Sequence, residues 1–153
     1  MTICLQPLGL VTKGRIDPID DDWDREASEI TLDAQVLEPD AVAGLDAFSH
    51  IEVIYWFHHA AAETVQSGAR HPRGNTEWPS VGILAQRAKN RPNRLGLTTC
   101  RLLKVEGLVL TVSGLDAIEG SPILDIKPYM SGFAPRGEIR EPEWARQLMQ
   151  GYW

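Results

Sequence analysis

Hydrophobic and polar residues alternate along several short stretches of the chain. In EITLDAQV, residues 29–36, Ile30, Leu32, Ala34 and Val36 occupy every second position and polar residues lie between them. This period of two predicts a strand with one buried face. HIEVIYWF, residues 50–57, is rich in β-branched and aromatic residues and predicts a more deeply buried strand. Further strands are predicted at 81–87, 95–105, 108–114 and 121–127, with a tight hairpin at Glu106 and Gly107.

The same pattern leaves little room for helices. PDAVAGL, residues 39–45, predicts one short helix. EPEWARQLMQ, residues 141–150, predicts a second helix, with Pro142 in its first turn and Trp144 and Leu148 on one side. Many short strands with one terminal helix predict a mostly β fold, either a small β-barrel or a strongly bent sheet. The stretch 67–80, rich in Pro and Gly, predicts a long loop of the kind that is more often functional than not.

Composition agrees with a chain that folds around one core. The 153 residues are 43% hydrophobic, which suits one ordinary domain, and we expect a single domain over residues 1–153. No apolar run approaches the ~20 residues of a membrane helix, and the N-terminus lacks the pattern of a signal peptide, so we expect a cytoplasmic protein. Cys4 and Cys100 are far apart, and they indicate neither a disulfide framework nor a zinc cluster.

Charge is distributed unevenly around a formal net value of -6. Ten carboxylates lie between Arg15 and Asp40, whereas eight of the fifteen lysines and arginines lie between Arg70 and Lys104, where Glu77 is the only acid. One face could therefore bind a polyanion although the sequence pI is about 5.2. The alternative is that the two oppositely charged segments simply neighbour one another in the fold.

Common cofactor motifs are absent from the sequence. Neither G-x-G-x-x-G after a strand nor G-x-x-x-x-G-K-[ST] occurs, so the usual nucleotide cradles are missing. His58 and His59 are adjacent and, on a strand, would point to opposite faces, so the histidines do not indicate a metal site. No serine or cysteine lies in a recognisable nucleophile motif.

Three stretches combine chemically capable residues. RAKNRPNRLG, residues 87–96, gathers cationic side chains that fork onto phosphate or carboxylate oxygens, although it would also suit a solvated turn. GLDAFSHIEVIYWFHH, residues 44–59, ends in two histidines after an aromatic run that would line a pocket or pack in the core. SGLDAIEGSPILDIKPY, residues 113–129, brings ionisable groups to strand ends, as a binding site or a solvated hairpin end would.

Together these stretches resemble the TsaA/TrmO family, the YaeB-like proteins. Members carry G-F-S-H-…-F-H, F-A-T-R-S-x-x-R-P-N-P-I-G and L-D-L-x-D-G-T-P-V-L-D-I-K-P-Y in this order. The corresponding segments here are AFSHIEVIYWFHH, LAQRAKNRPNRLG and LDAIEGSPILDIKPY. The resemblance covers residues 8–129, so we expect residues 130–153 to form a helical C-terminal extension.

The resemblance implies a small β-barrel, usually a homodimer, that binds S-adenosyl-L-methionine without a Rossmann domain. It further implies an enzyme that methylates N6 of threonylcarbamoyladenosine at position 37 of tRNA, in the anticodon loop. By position, the cofactor contacts would be His58, His59, Arg87, Leu97, Gly114, Leu115 and Asp116. For that reaction we expect Asp125 and Tyr129 to orient the proton of N6. We expect Lys89, Arg91, Asn93, Arg94 and Lys127 to hold the tRNA backbone or the threonyl carboxylate.

The sequence also departs from the family pattern. The usual proline and isoleucine after R-P-N are Arg94 and Leu95 here, which changes the loop and adds a positive charge. Two alternatives therefore stay open: a methyltransferase of the same fold that acts on a small molecule or another RNA, and a non-catalytic module that binds S-adenosylmethionine.

Overall fold

Six antiparallel strands close into a barrel in the computed structural model, which describes residues 1–153. The chain has eight strands in all, six in the barrel and two outside it. In chain order they are β1 (Gly9–Lys13), β2 (Ala27–Leu32), β3 (His50–Trp56), β4 (Ala69–Arg70), β5 (Val81–Gly82), β6 (Leu95–Glu106), β7 (Val109–Ser113) and β8 (Pro122–Pro128). The barrel order is β1-β2-β7-β6-β3-β8, and pairing of β1 with β8 closes it. A separate pair joins β4 to β5. The predicted β-barrel is confirmed.

Alternation along the strands fills the barrel. On β3, Ile51, Val53 and Tyr55 are buried, while the residues between them face outward. The same rule places Thr98 and Cys100 of β6 inside. Because inward side chains from all six strands meet on the axis, the interior is a packed apolar core and the polar chemistry lies at the barrel's end and on its outer wall.

Two predicted strands are shorter in the structure than in the prediction. β2 stops at Leu32 because the carboxylate of Asp33 accepts a hydrogen bond from the Gln35 amide at 2.8 Å and turns the chain. The strand predicted over 81–87 ends at Gly82, and a 3-10 turn follows at Ile83–Ala85.

The stretch 39–45 forms successive turns, and only its last residue enters a short 3-10 helix at Leu45–Ala47. Its backbone bonds join residues three apart, as in the bond from the Leu45 amide to the Val42 carbonyl at 3.0 Å. Gly44 adopts a left-handed φ of 79°, which interrupts any α-helix.

The chain ends in one α-helix, α1 (Glu143–Leu148), followed by the tail Gly151–Trp153. The indole Nε1 of Trp78, in the long loop, donates to Oε1 of Gln147 on this helix at 2.8 Å. None of the helices has the length and apolar character that crossing a bilayer requires.

Candidate functional site

A bend after β7, residues 114–121, crosses one end of the barrel. Gly114 and Gly120 adopt left-handed φ values of 72° and 83°, so glycine suits both turns of the bend. A Cβ at Gly114 would also lie 2.7 Å from Oδ1 of Asp24. Leu115 and Ala117 are buried and fix the bend to the core, which leaves Asp116 between them half-buried at the barrel's end.

The carboxylate of Asp116 accepts hydrogen bonds from three hydroxyl groups. The Tyr55 hydroxyl donates to Oδ1 at 2.8 Å and lies 3.0 Å from the backbone carbonyl oxygen of Asp116. Thr98 donates to the same Oδ1, and Tyr152 donates to Oδ2 at 2.5 Å. These donors come from β3, β6 and the C-terminal tail, so three distant parts of the chain fix one carboxylate.

Both tyrosines remain hydrogen-bond donors over the physiological pH range. Burial, followed by the negative charge of Asp116, raises the pKa of the Tyr55 hydroxyl well above its ordinary value. The same two causes, in the same order, raise the pKa of Tyr152, and the positive charge of Arg87 opposes that rise. The hydroxyls therefore stay protonated, and the carboxylate stays the acceptor in each bond.

Arg87 and Leu97 lie beside this network. A guanidinium nitrogen of Arg87 donates to the backbone carbonyl of Leu97, the residue before Thr98 on β6. Arg87 is exposed and forms no ion pair, so the end of its side chain is accessible to an anionic ligand. The structure thus brings together Arg87, Leu97 and Asp116, three of the residues predicted to contact the cofactor.

The two adjacent histidines lie just beyond β3, in a turn and not on the strand. Their ring centroids are 4.0 Å apart, so the expectation that they would point to opposite faces was wrong, because the strand ends at Trp56. Nδ1 of His58 lies 3.4 Å from Oγ of Ser121, at the end of the bend. Burial, and then the charge of His59, lowers the pKa of His58, which favours a neutral ring beside the site.

The cationic loop, residues 87–94, contains two left-handed residues. Asn93 and Arg94 have φ values of 64° and 53°. Proline, which fixes φ near about −65°, could not adopt the conformation of Arg94, so the departure from the family pattern accompanies a different backbone.

Within that loop the cations differ in how far they are engaged. The Arg94 guanidinium lies 4.4 Å from the Trp56 ring centroid and donates to the Ala60 carbonyl at 2.6 Å. Arg91 donates to the Gln86 carbonyl at 2.9 Å. Lys89 is exposed and makes no hydrogen bond or ion pair, which leaves its ammonium group accessible to a ligand.

Asp125, Lys127 and Tyr129 form a second group on the outer side of β8. Lys127 pairs with Asp125 at 2.7 Å, and this bond and charge raise the pKa of Lys127. Tyr129 lines a groove of about 480 Å³ with residues that include His50 and Thr99. None of the three predicted side chains hydrogen-bonds to Asp116 or Arg87.

Tyr152 is a member of the Asp116 network that the sequence did not reveal. Nothing in the spacing of the terminal GYW, residues 151–153, connects it with Asp116. Thr98 was also missed, because alternation along LGLTTC favours Leu95 and Leu97 as the inward residues, whereas the structure buries Thr98 and exposes both leucines.

A closed antiparallel barrel with a polar site built by loops at one end places the chain among small ligand-binding β-barrel domains. Residues 15–134 match the model of the family described as tRNA-methyltransferase O N-terminal domain. The chain belongs to this family, which confirms the resemblance seen in the sequence.

Curated relatives support the same placement. A probable S-adenosyl-L-methionine-binding protein of Methanothermobacter thermautotrophicus is 42% identical over 133 residues, which are 84% of this chain and 91% of that protein. The tRNA (adenine(37)-N6)-methyltransferase of Escherichia coli is 35% identical over 108 residues, 67% of this chain and 45% of that protein. The human tRNA (adenine(37)-N6)-methyltransferase is 36% identical over 102 residues, 67% of this chain and 23% of that protein. The chain therefore spans less than half the length of either tRNA methyltransferase.

A solved structure has the same fold. The crystal structure of TrmO superimposes with a TM-score of 0.76 at 26% identity, covering 92% of this chain and 64% of that chain.

Proposed function

We propose that this protein is an S-adenosylmethionine-dependent methyltransferase that modifies N6 of an adenine in tRNA. In its finer form the substrate is threonylcarbamoyladenosine at position 37, beside the anticodon. The observation that carries the proposal is family membership over residues 15–134, together with relatives named for this cofactor and this reaction.

The polar end of the barrel fits such a cofactor. Its α-carboxylate would pair with Arg87, whose guanidinium is exposed and free of acidic partners. Its ammonium group or ribose hydroxyls would donate to Asp116, and the bend from Gly114 to Asp116 would supply backbone groups. His58 and His59 would lie at the edge of the same pocket, with Leu97 as its apolar wall on the outer side of β6.

Bound S-adenosylmethionine would supply a sulfonium methyl group for in-line displacement by a nitrogen nucleophile, so the protein's main task is positioning. N6 of a carbamoylated adenine gives up its proton more readily than a plain amine. We assign orientation of that proton to Asp125 and Tyr129, on and just after β8, with the Asp125 carboxylate as the group that accepts it. Lys127 pairs with the Asp125 carboxylate at 2.7 Å, and Tyr129 lines a groove of about 480 Å³.

The RNA would approach through the cationic loop. Lys89 and Asn93 are exposed and carry no internal hydrogen bonds from their side chains, so both are available to phosphate oxygens. Arg91 and Arg94 spend part of their donors on backbone carbonyls and retain the rest. Lys127 would add a contact from β8, where it pairs with Asp125. Binding through several phosphates should weaken steeply as salt rises, with a slope of about −0.7 per phosphate for a single strand.

The decisive experiment incubates the protein with labelled S-adenosylmethionine and tRNA from cells that lack the N6 methyl group. Label in the adenosine at position 37 is expected, and a product that retains the threonylcarbamoyl group would establish the finer form. Arg87→Ala should weaken cofactor binding in calorimetry by about 10-fold or more, because a charged hydrogen-bond partner is lost. Lys89→Ala is the matched control, and it should spare the cofactor while weakening tRNA.

The chief competing function is a non-catalytic module that binds the cofactor. It is favoured by the name of the Methanothermobacter relative, which this chain covers almost completely. The same incubation separates the two, since a binding module would leave tRNA unlabelled and release no S-adenosylhomocysteine. Labelling of a small molecule in place of tRNA would instead support the alternative substrate class.

A further inference from the structure

We propose that the C-terminal tail, Gly151–Trp153, completes the cofactor site, with Tyr152 as a positioning residue that acts through Asp116. The inference rests on the proposed function, because it assumes that Asp116 contacts the cofactor. The tail lies outside residues 15–134, the part of the chain that matches the family model.

The tail is built into the structure by its backbone. The amide of Asp22 donates to the Gly151 carbonyl, and the amide of Trp23 donates to the Tyr152 carbonyl, each at 3.0 Å. Just upstream, the bond between Trp78 and Gln147 ties α1 to the long loop. Two backbone bonds therefore fix the tail itself, and a third bond fixes the helix that precedes it.

The tail determines how many hydrogen bonds the Asp116 carboxylate can still accept. Oδ1 receives two donors, from Tyr55 and Thr98, and so uses both of its lone-pair directions. Oδ2 receives one donor, from Tyr152, and keeps one direction open. The tail thus leaves the carboxylate a single open acceptor position.

The open position on Oδ2 is the one that a ligand donor can use. The Tyr152 proton is directed to the same oxygen at 2.5 Å, so the hydroxyl fixes the carboxylate without itself contacting the ligand. One acceptor position suits a ribose hydroxyl or an N–H group of the ammonium. Arg87, which donates to the carbonyl of Leu97 next to Thr98, supplies a positive charge for the anionic end of the ligand.

The test is calorimetric titration of S-adenosylmethionine into the full chain carrying Tyr152→Phe. This change keeps the ring and removes only the hydroxyl, so we expect an affinity loss of about 10-fold to 100-fold, typical of a lost hydrogen bond to a charged group. Thr31→Val is the matched control, because it removes the hydroxyl that lies 2.8 Å from the Thr12 hydroxyl on the outer wall. The control should bind like the wild type.

A double-mutant cycle separates positioning from general support of the fold. If Tyr152 acts through Asp116, then Tyr152→Phe should cost less than about 3-fold once Asp116→Asn is present. A structural role would give the same fold-loss in both backgrounds. Independent losses that multiply would overturn the inference.

Three further outcomes are informative. Wild-type affinity in Tyr152→Phe would overturn the role of the tail and leave the proposed function intact, whereas a wild-type protein that binds no cofactor would remove both. Tighter binding by Tyr152→Phe would also overturn the inference, since it would mean that the tail competes with the ligand for Asp116.

Discussion

Arg94 is placed to stabilise the protein, and its replacement by alanine tests whether the cationic loop is partly structural. The guanidinium lies 4.4 Å from the Trp56 ring centroid and bonds to the Ala60 carbonyl at 2.6 Å. Arg94→Ala removes both contacts. The backbone bonds of residue 94, from its amide to Arg91 and from Phe57 to its carbonyl, persist because alanine retains both groups.

The expected loss follows from these two contacts. A partly buried hydrogen bond from a charged donor contributes about 1.5 kcal/mol, and a half-exposed cation–π contact contributes about 0.5–1 kcal/mol. Alanine meets the same left-handed φ as arginine, so backbone strain is unchanged. The total is about 2 kcal/mol, which corresponds to a Tm lower by about 4–8 °C in a chain of this size.

Urea unfolding and thermal unfolding of Arg94→Ala, with Lys89→Ala as control, measure this effect. Lys89 has no internal partner, so its variant should remain within about 0.5 kcal/mol of the wild type. A cycle with Trp56→Leu should give a coupling of about 0.5–1 kcal/mol. If Arg94→Ala is as stable as Lys89→Ala, the Arg94 guanidinium makes no stabilising contact and Arg94 serves only to bind a ligand.

Other consequences of the structure can be measured directly. A Cβ at Gly96 would clash with the buried Tyr55 ring, so Gly96→Ala should lower the free energy of unfolding by about 1–3 kcal/mol in urea titration. Gly82→Ala is the control, because open space surrounds Gly82 and the variant should lose little stability. Equal stabilities of the two variants would contradict this packing. Cys4 is exposed, whereas burial raises the pKa of Cys100 to about 12, so Ellman's reagent should label one thiol in the native protein and two after unfolding. Because the pKa of His58 is lowered in the folded state, the unfolded chain binds more protons below the ordinary value of 6.5, and stability should fall as pH drops through that region. His58→Gln should reduce this dependence, and an unchanged pH profile would argue against a neutral native His58.

The fold was accessible from the sequence wherever alternation continued along a whole strand. β3 follows the pattern closely because one of its faces is buried, so every second residue had to be apolar. β6 alternates in burial too, but there Leu95 and Leu97 face outward and Thr98 faces inward. β1, Gly9–Lys13, was missed because its five residues include one buried hydrophobic side chain, Val11, and give no period to detect. The strand predicted at 81–87 failed because Ile83 is buried in a turn, where apolar content without a partner strand gave the same signal.

The candidate site was only partly accessible. Arg87, Leu97 and Asp116 came from motif resemblance, and the barrel does bring them together at one end. The role of Tyr152 could not be predicted, because its bond to Asp116 spans 36 residues and depends on where the tail packs against Asp22 and Trp23. Contacts of that kind are set by tertiary packing, and no local spacing records them.

The acidic segment, residues 15–40, makes its ion pairs and hydrogen bonds apart from the cationic loop, residues 87–94. The Arg15 guanidinium gathers the carbonyls of Asp21 and Asp22 and lies 4.2 Å from the Trp23 ring, which curls the acidic segment back on itself.

From there, Asp21 pairs with Arg73 at 2.9 Å, so one cation of the basic half is neutralised, as expected for neighbouring charged segments. Arg87 and Lys89 have no such partner, since every ion pair in the structure involves other residues. Charge on an accessible loop acts over about one Debye length, roughly 8 Å at physiological salt. The charges of Arg87 and Lys89 therefore stay unneutralised by the protein and available to an anionic ligand, whatever the net charge of the whole chain.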